Sequence, residues 1–263
     1  MSHIQELIQA WENSPYPSTK LTTYFAAYVE LFSHLRNSES VFIETGVLGG
    51  GSLFMWRNWL GPKARIIGID LNPQALKWKE HGFEIYIGDQ GDPSFWRKTL
   101  KTIGHYDALL DDGGHQSFQQ IVTLEEAIRH APNQCVVAIE DTHTSFYNDF
   151  KAHIANTFLN YAKSSTDVLT ARAYSMNPKR MPEVVNFDSI NLLSNVFSIQ
   201  FFNSIVSYKI DSSYSQIPKS IWNNKNYPMP TDFRYDGLNS AKTIWPDPFT
   251  IQEIDIFGGK IKN

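Results

Sequence analysis

Cysteine is nearly absent from this sequence: Cys135, in the apolar run QCVVAIE, stands alone. One thiol cannot build a disulfide framework, so it reads as a core residue, and a reducing compartment is expected. Long hydrophobic runs are missing too. No apolar stretch approaches the ~20 residues of a membrane span, and MSHIQELIQAW is too polar for a secretory signal. The expectation is a soluble, cytoplasmic protein. A dominant charge is also lacking. Lys+Arg 23 against Asp+Glu 27 leaves −4, with no long run of either sign. That argues against a nucleic-acid or membrane-surface role. Internal repeats and low-complexity tracts are absent. What is present is a chain of 263 residues that is 42% hydrophobic and 14% aromatic, enough to bury one sizeable core.

Residues 1–38 read as an N-terminal helical segment. Apolar residues at helical spacing mark helices over 3–13 and 20–37, separated by Pro15 and Pro17. From residue 39 to 210 the pattern alternates. SVFIETG, ARIIGID, FEIYIGDQ, YDALLDD and CVVAIED read as strands. GGSLFMWRNWLG, NPQALKWKEHG, DPSFWRKTLKTIG and SFQQIVTLEEAIRHA read as the helices between them, and a further helix is expected over about 147–162. Such alternation means βαβ units: an α/β, doubly wound, mostly parallel sheet. SIQFF and IVSYKI flank Asn203-Ser204 and predict a closing antiparallel hairpin. Residues 211–263, rich in Pro, Asn, Tyr and Trp without periodicity, read as an irregular C-terminal extension of the same single domain. Its aromatics, Tyr214, Trp222, Tyr227, Phe233, Tyr235 and Trp245, either pack it onto the core or stack on a ligand.

The first strand runs into VFIETGVLGGGS. Glycines there let the backbone approach a ligand at a helix N-terminus. The spacing departs from the dinucleotide fingerprint, and Glu44 at the strand end would repel a pyrophosphate. An ammonium-bearing ligand would accept it. Asp70 ends the second strand, where an acid can bind ribose hydroxyls. Asp89 follows the third, where it could meet an adenine amino group. Three acids in register suit a cationic nucleoside, S-adenosylmethionine. The alternative is that they cap the following helices.

The fourth and fifth apolar runs also stop at acids: Asp111 and Asp112 in ALLDDGGH, Glu140 and Asp141 in VVAIEDTHTSFY. Adjacent strands would crowd these carboxylates at one edge of a ligand crevice, and crowded carboxylates need a cation. Hard oxygen donors without a thiolate point to Mg²⁺ or a similar divalent ion. His115, just past the Gly-Gly turn, could serve as a general base, because histidine titrates near neutral pH. His143 either contacts metal or substrate or shapes its loop. His81, His105 and His130 fall at helix ends or connections and read as surface residues.

Taken together, ETGVLGGGSLFMW, IIGIDLNP, GDQGD, DDGGH and the IED-x-HTSFY stretch resemble the metal-dependent sugar O-methyltransferases of macrolide antibiotic biosynthesis, over roughly residues 40–210. The resemblance implies a Rossmann-like class I methyltransferase with a seven-stranded sheet. It implies that Asp112, Glu140 and Asp141 bind Mg²⁺ and that His115 is the base. Glu44, Gly46, Asp70 and Asp89 fall on the family's S-adenosylmethionine positions, and Gly50, Ser52 and Asp111 complete the cofactor set. Gly114 stands where the family more usually has serine. The implied acceptor is a sugar hydroxyl of a glycan, a nucleotide-linked sugar or a glycosylated natural product, and the termini would shape the acceptor site and any homo-oligomer contact. A phenolic or catechol O-methyltransferase using the same machinery remains open, as does a metal-dependent hydrolase or hydroxylase built on the carboxylates alone.

Overall fold

The structure, a computed structural model, describes residues 2–151, 157–171 and 191–216. The expected extension beyond residue 216, with five of its six named aromatics, lies outside the described residues. Two helices open the chain, α1 (His3–Glu12) and α2 (Tyr24–Phe32). Ser2 and Gln5 cap α1 reciprocally, Gln5 N donating to Ser2 Oγ and Ser2 N to Gln5 Oε1. Then follow β1 (Val41–Thr45), α3 (Gly51–Leu60), β2 (Arg65–Asp70), β3 (Glu84–Ile87), α4 (Pro93–Ile103), β4 (Ala108–Asp111), α5 (Ser117–His130) and β5 (Cys135–Ile139). Short α6 (Asn148–Lys151), α7 (Phe158–Ala171) and the hairpin β6 (Val196–Phe201) and β7 (Val206–Ile210) complete the described residues.

The sheet has seven strands in the order β3-β2-β1-β4-β5-β7-β6. Strands β1 to β5 pair in parallel, and β7 is antiparallel to both β5 and β6. The strand order reverses between β1 and β4, which opens a crevice at the carboxyl ends of these strands. Both faces are covered. Phe42 packs with Tyr28, Phe32 and Trp56 on one side, while the next residue, Ile43, packs with Trp96, Leu109 and Leu124 on the other. Burial on both faces explains the near-continuous apolar strands. Among the described residues no helix is long and apolar enough to cross a membrane.

Three elements depart from expectation. The segment Pro73–His81 is a 3₁₀ helix, not an α-helix. Its buried residues Ala75 and Trp78 are three apart, and His81 stacks near Trp78, so the face toward the core repeats every third residue. Helix α2 starts at Tyr24 rather than residue 20. The residues before it form a strap tied to α3, with Ser14 Oγ donating to the Gly51 carbonyl at 2.9 Å. The helix expected over 147–162 is broken: a 3₁₀ turn over Thr142–Phe146 leads into α6, and α7 begins only at Phe158. The Thr157 hydroxyl accepts from Asn160 N, and the Ser145 hydroxyl from Leu159 N. These side-chain acceptors start a new helix there.

Candidate active site

A cleft of about 790 Å³ lies over the reversal point. Its walls come from the turn after β1, the ends of β2 to β5, and the strap Pro17–Leu21. On the β1–β3 side, Asp70 lines the cleft and holds the first turn in place. Its Oδ2 accepts from Val47 N at 2.9 Å and Leu48 N at 3.0 Å, and its Oδ1 accepts from Asn72 N at 2.8 Å. Asp89 also lines the cleft, with Gly91 N donating to Oδ1 at 2.7 Å. Gly46 has φ +89°, and a Cβ there would lie 1.9 Å from the Asp112 carbonyl oxygen, so the β1 turn can approach β4 only without a side chain.

Glu44, Gly50 and Asp111 are placed behind this wall. Glu44 is fully buried, and its carboxylate accepts from Ser52 Oγ at 2.7 Å and Trp56 Nε1 at 3.0 Å. Burial pushes its pKa up to about 7, against the opposing pull of Lys20. Ser52 reaches the cleft but gives its hydroxyl proton to Glu44. Gly50, at φ +82°, is packed so that a Cβ would meet the Trp78 ring. Asp111, raised to about 6 by burial, accepts from Gln90 Nε2 and Gly113 N, both at 3.0 Å. Gln90 in turn accepts from Gly114 N at 2.7 Å, so Asp111 and Gln90 together shape the DDGGH loop.

On the other side the acids do meet. One oxygen or nitrogen each from Asp112, His115 and Asp141 lie within 4.8 Å of one another. His115 Nε2 is 3.4 Å from Asp141 Oδ2 and 4.0 Å from Asp112 Oδ1. His115 and Asp141 both have left-handed backbones, with φ +57° and +55°. That conformation is costly for residues with a side chain and is concentrated at functional positions. Thr144 Oγ1 ties the two loops, near enough to donate to the His115 carbonyl at 3.1 Å or the Asp141 carbonyl at 2.7 Å. Gln120 Nε2 donates to the Glu140 carbonyl at 3.0 Å. His143 lines the cleft, its Nδ1 2.6 Å from Ser204 Oγ at the hairpin turn. His81, His105 and His130 lie on the surface, and Cys135 is core.

Three partners of this cluster were not foreseen from sequence. The ammonium of Lys20 donates to Asp112 Oδ2 and lies 3.1 Å from Glu140 Oε1, with its side chain only 1% exposed. Burial works to lower the Lys20 pKa, but the charges of Asp112 and Glu140 outweigh it and hold it well above an ordinary lysine. The Tyr28 hydroxyl donates to Glu140 Oε2 and the Tyr24 hydroxyl to Asp141 Oδ1. Glu140 therefore lies beside Asp112, with one oxygen on Lys20 and the other on Tyr28. Burial first, and then the negative charge of Asp112, push the Glu140 carboxyl well above its usual range. Both tyrosines sit on the buried face of α2, where spacing shows an apolar stripe and hides the hydroxyls.

The order of the seven strands, with the single antiparallel strand β7 set between β5 and β6, is that of the Rossmann-like class I methyltransferase fold. A solved methyltransferase from the mycinamycin biosynthetic pathway, in complex with Mg and SAH, shares the fold with a TM-score of 0.66 at 22% identity, over 86% of this chain and 59% of that one. No protein-family model matches the chain. Among curated proteins, the mycinamicin VI 2''-O-methyltransferase of Micromonospora griseorubida is 27% identical over 181 residues, 63% of this chain and 44% of that protein. The 8-demethyl-8-alpha-L-rhamnosyl tetracenomycin-C 2'-O-methyltransferase of Streptomyces olivaceus is 28% identical over 136 residues, 49% of this chain and 35% of that protein. The demethylmacrocin O-methyltransferase of Streptomyces fradiae is 27% identical over 130 residues. The matches span less than half the length of each of these curated relatives.

Proposed function

We propose that this protein is an S-adenosylmethionine- and divalent-metal-dependent O-methyltransferase acting on a sugar hydroxyl of a glycosylated small molecule. The observation that carries it is one cleft with two unlike walls. Asp70 and Asp89 stand at the ends of β2 and β3, and Asp112, His115, Glu140 and Asp141 stand at the ends of β4 and β5. The names of the curated relatives support the sugar hydroxyl as acceptor.

The donors fit a hard divalent ion: three carboxylates converge, and among the described residues the Lys20 ammonium alone stands between them, leaving an excess of negative charge. Asp112, Glu140 and Asp141 would hold Mg²⁺, with His115 beside them. When bound, the ion would lower the pKa of an acceptor hydroxyl and orient it. The chain's own groups do the rest. Asp70 and Asp89 bind the ribose and adenine of the cofactor, and Gly46, whose missing side chain admits the Asp112 carbonyl, holds the β1 turn against the end of β4. His115 Nε2 takes the hydroxyl proton, while the acceptor oxygen attacks the methyl carbon and the carbon–sulfur electron pair stays on sulfur. The strap over Pro17–Leu21 lines one side of the cleft and brings Lys20 to the acids. Much of the acceleration comes from holding two substrates in line.

Calorimetric titration with S-adenosylhomocysteine, with Mg²⁺ and then EDTA, tests this reading. Micromolar nucleoside binding is expected, together with a Mg²⁺ heat that Asp112→Asn weakens by about tenfold or more. No nucleoside binding with or without Mg²⁺ would remove the methyltransferase reading.

A further inference from the structure

Lys20 has no part in the chemistry above, yet it is the most deeply placed charge in the cleft. Its side chain is 1% exposed, and it comes from the strap rather than from any strand. Its ammonium takes one oxygen of Asp112 and one of Glu140, while Tyr28 takes the other oxygen of Glu140. Two of the three carboxylates expected to hold a metal are thus already bridged by a cation of this chain. A cation shared by two buried carboxylates removes their mutual repulsion, which is the task a divalent ion would otherwise perform.

We infer that Lys20 is a tethered counter-ion that competes with divalent metal for Asp112 and Glu140, so that metal loading requires its ammonium to leave. This rests on the reading of the carboxylates as a metal site. With Lys20 in place, Glu140 is engaged, and the group left within ligand reach is Asp112, His115 and Asp141. That arrangement draws His115 toward a ligand role. With Lys20 withdrawn, the oxygens of Asp112 and Glu140 that it holds are free for a metal ion, and His115 is freed to act as base. Withdrawal does not require the strap to unfold, because the four-carbon stem of lysine is flexible. The strap itself stays tied by Ser14 to Gly51 and by Trp11 Nε1 to Ser18 Oγ at 3.0 Å. Lys20 is then a positioning residue. It keeps the metal-free cluster folded and sets how tightly Mg²⁺ is held.

The test is Mg²⁺ titration of the full chain as wild type and as Lys20→Met, which keeps the stem and removes the charge. Mg²⁺ is expected to bind the variant at least about tenfold more tightly, as relief from a competing buried charge predicts. Equal or weaker binding by the variant overturns the inference. A second measurement uses the wild type, in case the variant fails to fold. Lys20 is labelled with an amine-reactive anhydride and quantified by peptide mass spectrometry, with exposed Lys101 as the internal reference. Saturating Mg²⁺ is expected to raise Lys20 labelling several-fold relative to Lys101. No rise while Mg²⁺ is demonstrably bound overturns the inference and leaves the metal site standing. Failure of Mg²⁺ to bind either protein removes the metal reading, and this inference with it.

Discussion

His115 is where residue identity matters most. Its Nε2 faces the acids, and its backbone is held in a costly left-handed conformation by the loop that Gln90 and Asp111 shape. His115→Ala is expected to lower turnover by about 10²- to 10⁴-fold, the usual worth of a general base, and to leave S-adenosylhomocysteine binding unchanged by calorimetry. Full activity in the variant would remove histidine from the proton transfer. Glu44 is a different kind of acid. Its folded pKa of about 7 lies above the ordinary 4.5, so the folded protein binds this proton more tightly than the unfolded one. The group therefore favours folding most below about pH 4.5, and that contribution is lost as pH rises through about 7. A glutamine at 44 can accept from Trp56 and donate to Ser52, so Glu44→Gln should fold. It is expected to lose less stability than wild type between about pH 5 and pH 8, by on the order of 3 kcal/mol in urea unfolding. Equal losses in the two proteins would mean that Glu44 is ionised throughout. The strand-end acids were legible because each interrupts an apolar run. Lys20 was not, because PSTKL surrounds it with nothing periodic, and its partners lie about a hundred residues away.

At the scale of elements, the parallel strands were legible, most clearly β4 and β5, where burial on both faces makes a continuous apolar run. So was the hairpin, whose tight turn at Asn203-Ser204 joins β6 and β7 in antiparallel register. Helical stretches were less legible, since apolar spacing of three or four residues does not separate 3₁₀ from α geometry. Trp78 decides the matter at Pro73–His81, by filling the space behind Gly50. The break before Phe158 depends on Ser145, a residue in a different turn, which no local pattern reports. The turn after β1 depends most on a single residue. Gly46→Ala adds a Cβ in a left-handed position, against the Asp112 carbonyl. The variant is expected to lose at least about 2 kcal/mol of stability, combining backbone strain with displacement of the β4 end. It should also lose cofactor affinity, because the two loops forced apart belong to the two cleft walls. Unfolding within about 0.5 kcal/mol of wild type would show that the two turns are not in contact.

Across the whole molecule the charge is modest, −4, but its placement is uneven. Asp70, Asp89, Asp112, Glu140 and Asp141 all face one cleft, and Lys20 offsets only part of their charge. Such a cleft focuses a negative potential on whatever enters it. S-adenosylmethionine carries one more positive charge than S-adenosylhomocysteine, at the sulfonium, and the two are otherwise nearly the same shape. The cleft should therefore bind the donor more tightly than the spent cofactor at low ionic strength, which speeds product release. Salt should erase the difference. Between about 0.05 and 0.5 M salt the screening length falls from over 10 Å to about 4 Å, less than the reach of charges across the cleft. Affinity for S-adenosylmethionine in metal-free protein is expected to fall about threefold or more over that range, with much less change for S-adenosylhomocysteine, both read by calorimetry. Saturating Mg²⁺ should shrink the contrast, because a divalent cation on the carboxylates cancels the field that produces it. Identical salt dependence for the two nucleosides would mean that the sulfonium lies outside the field of Asp112, Glu140 and Asp141, and the methyl group would then be misplaced for transfer at His115.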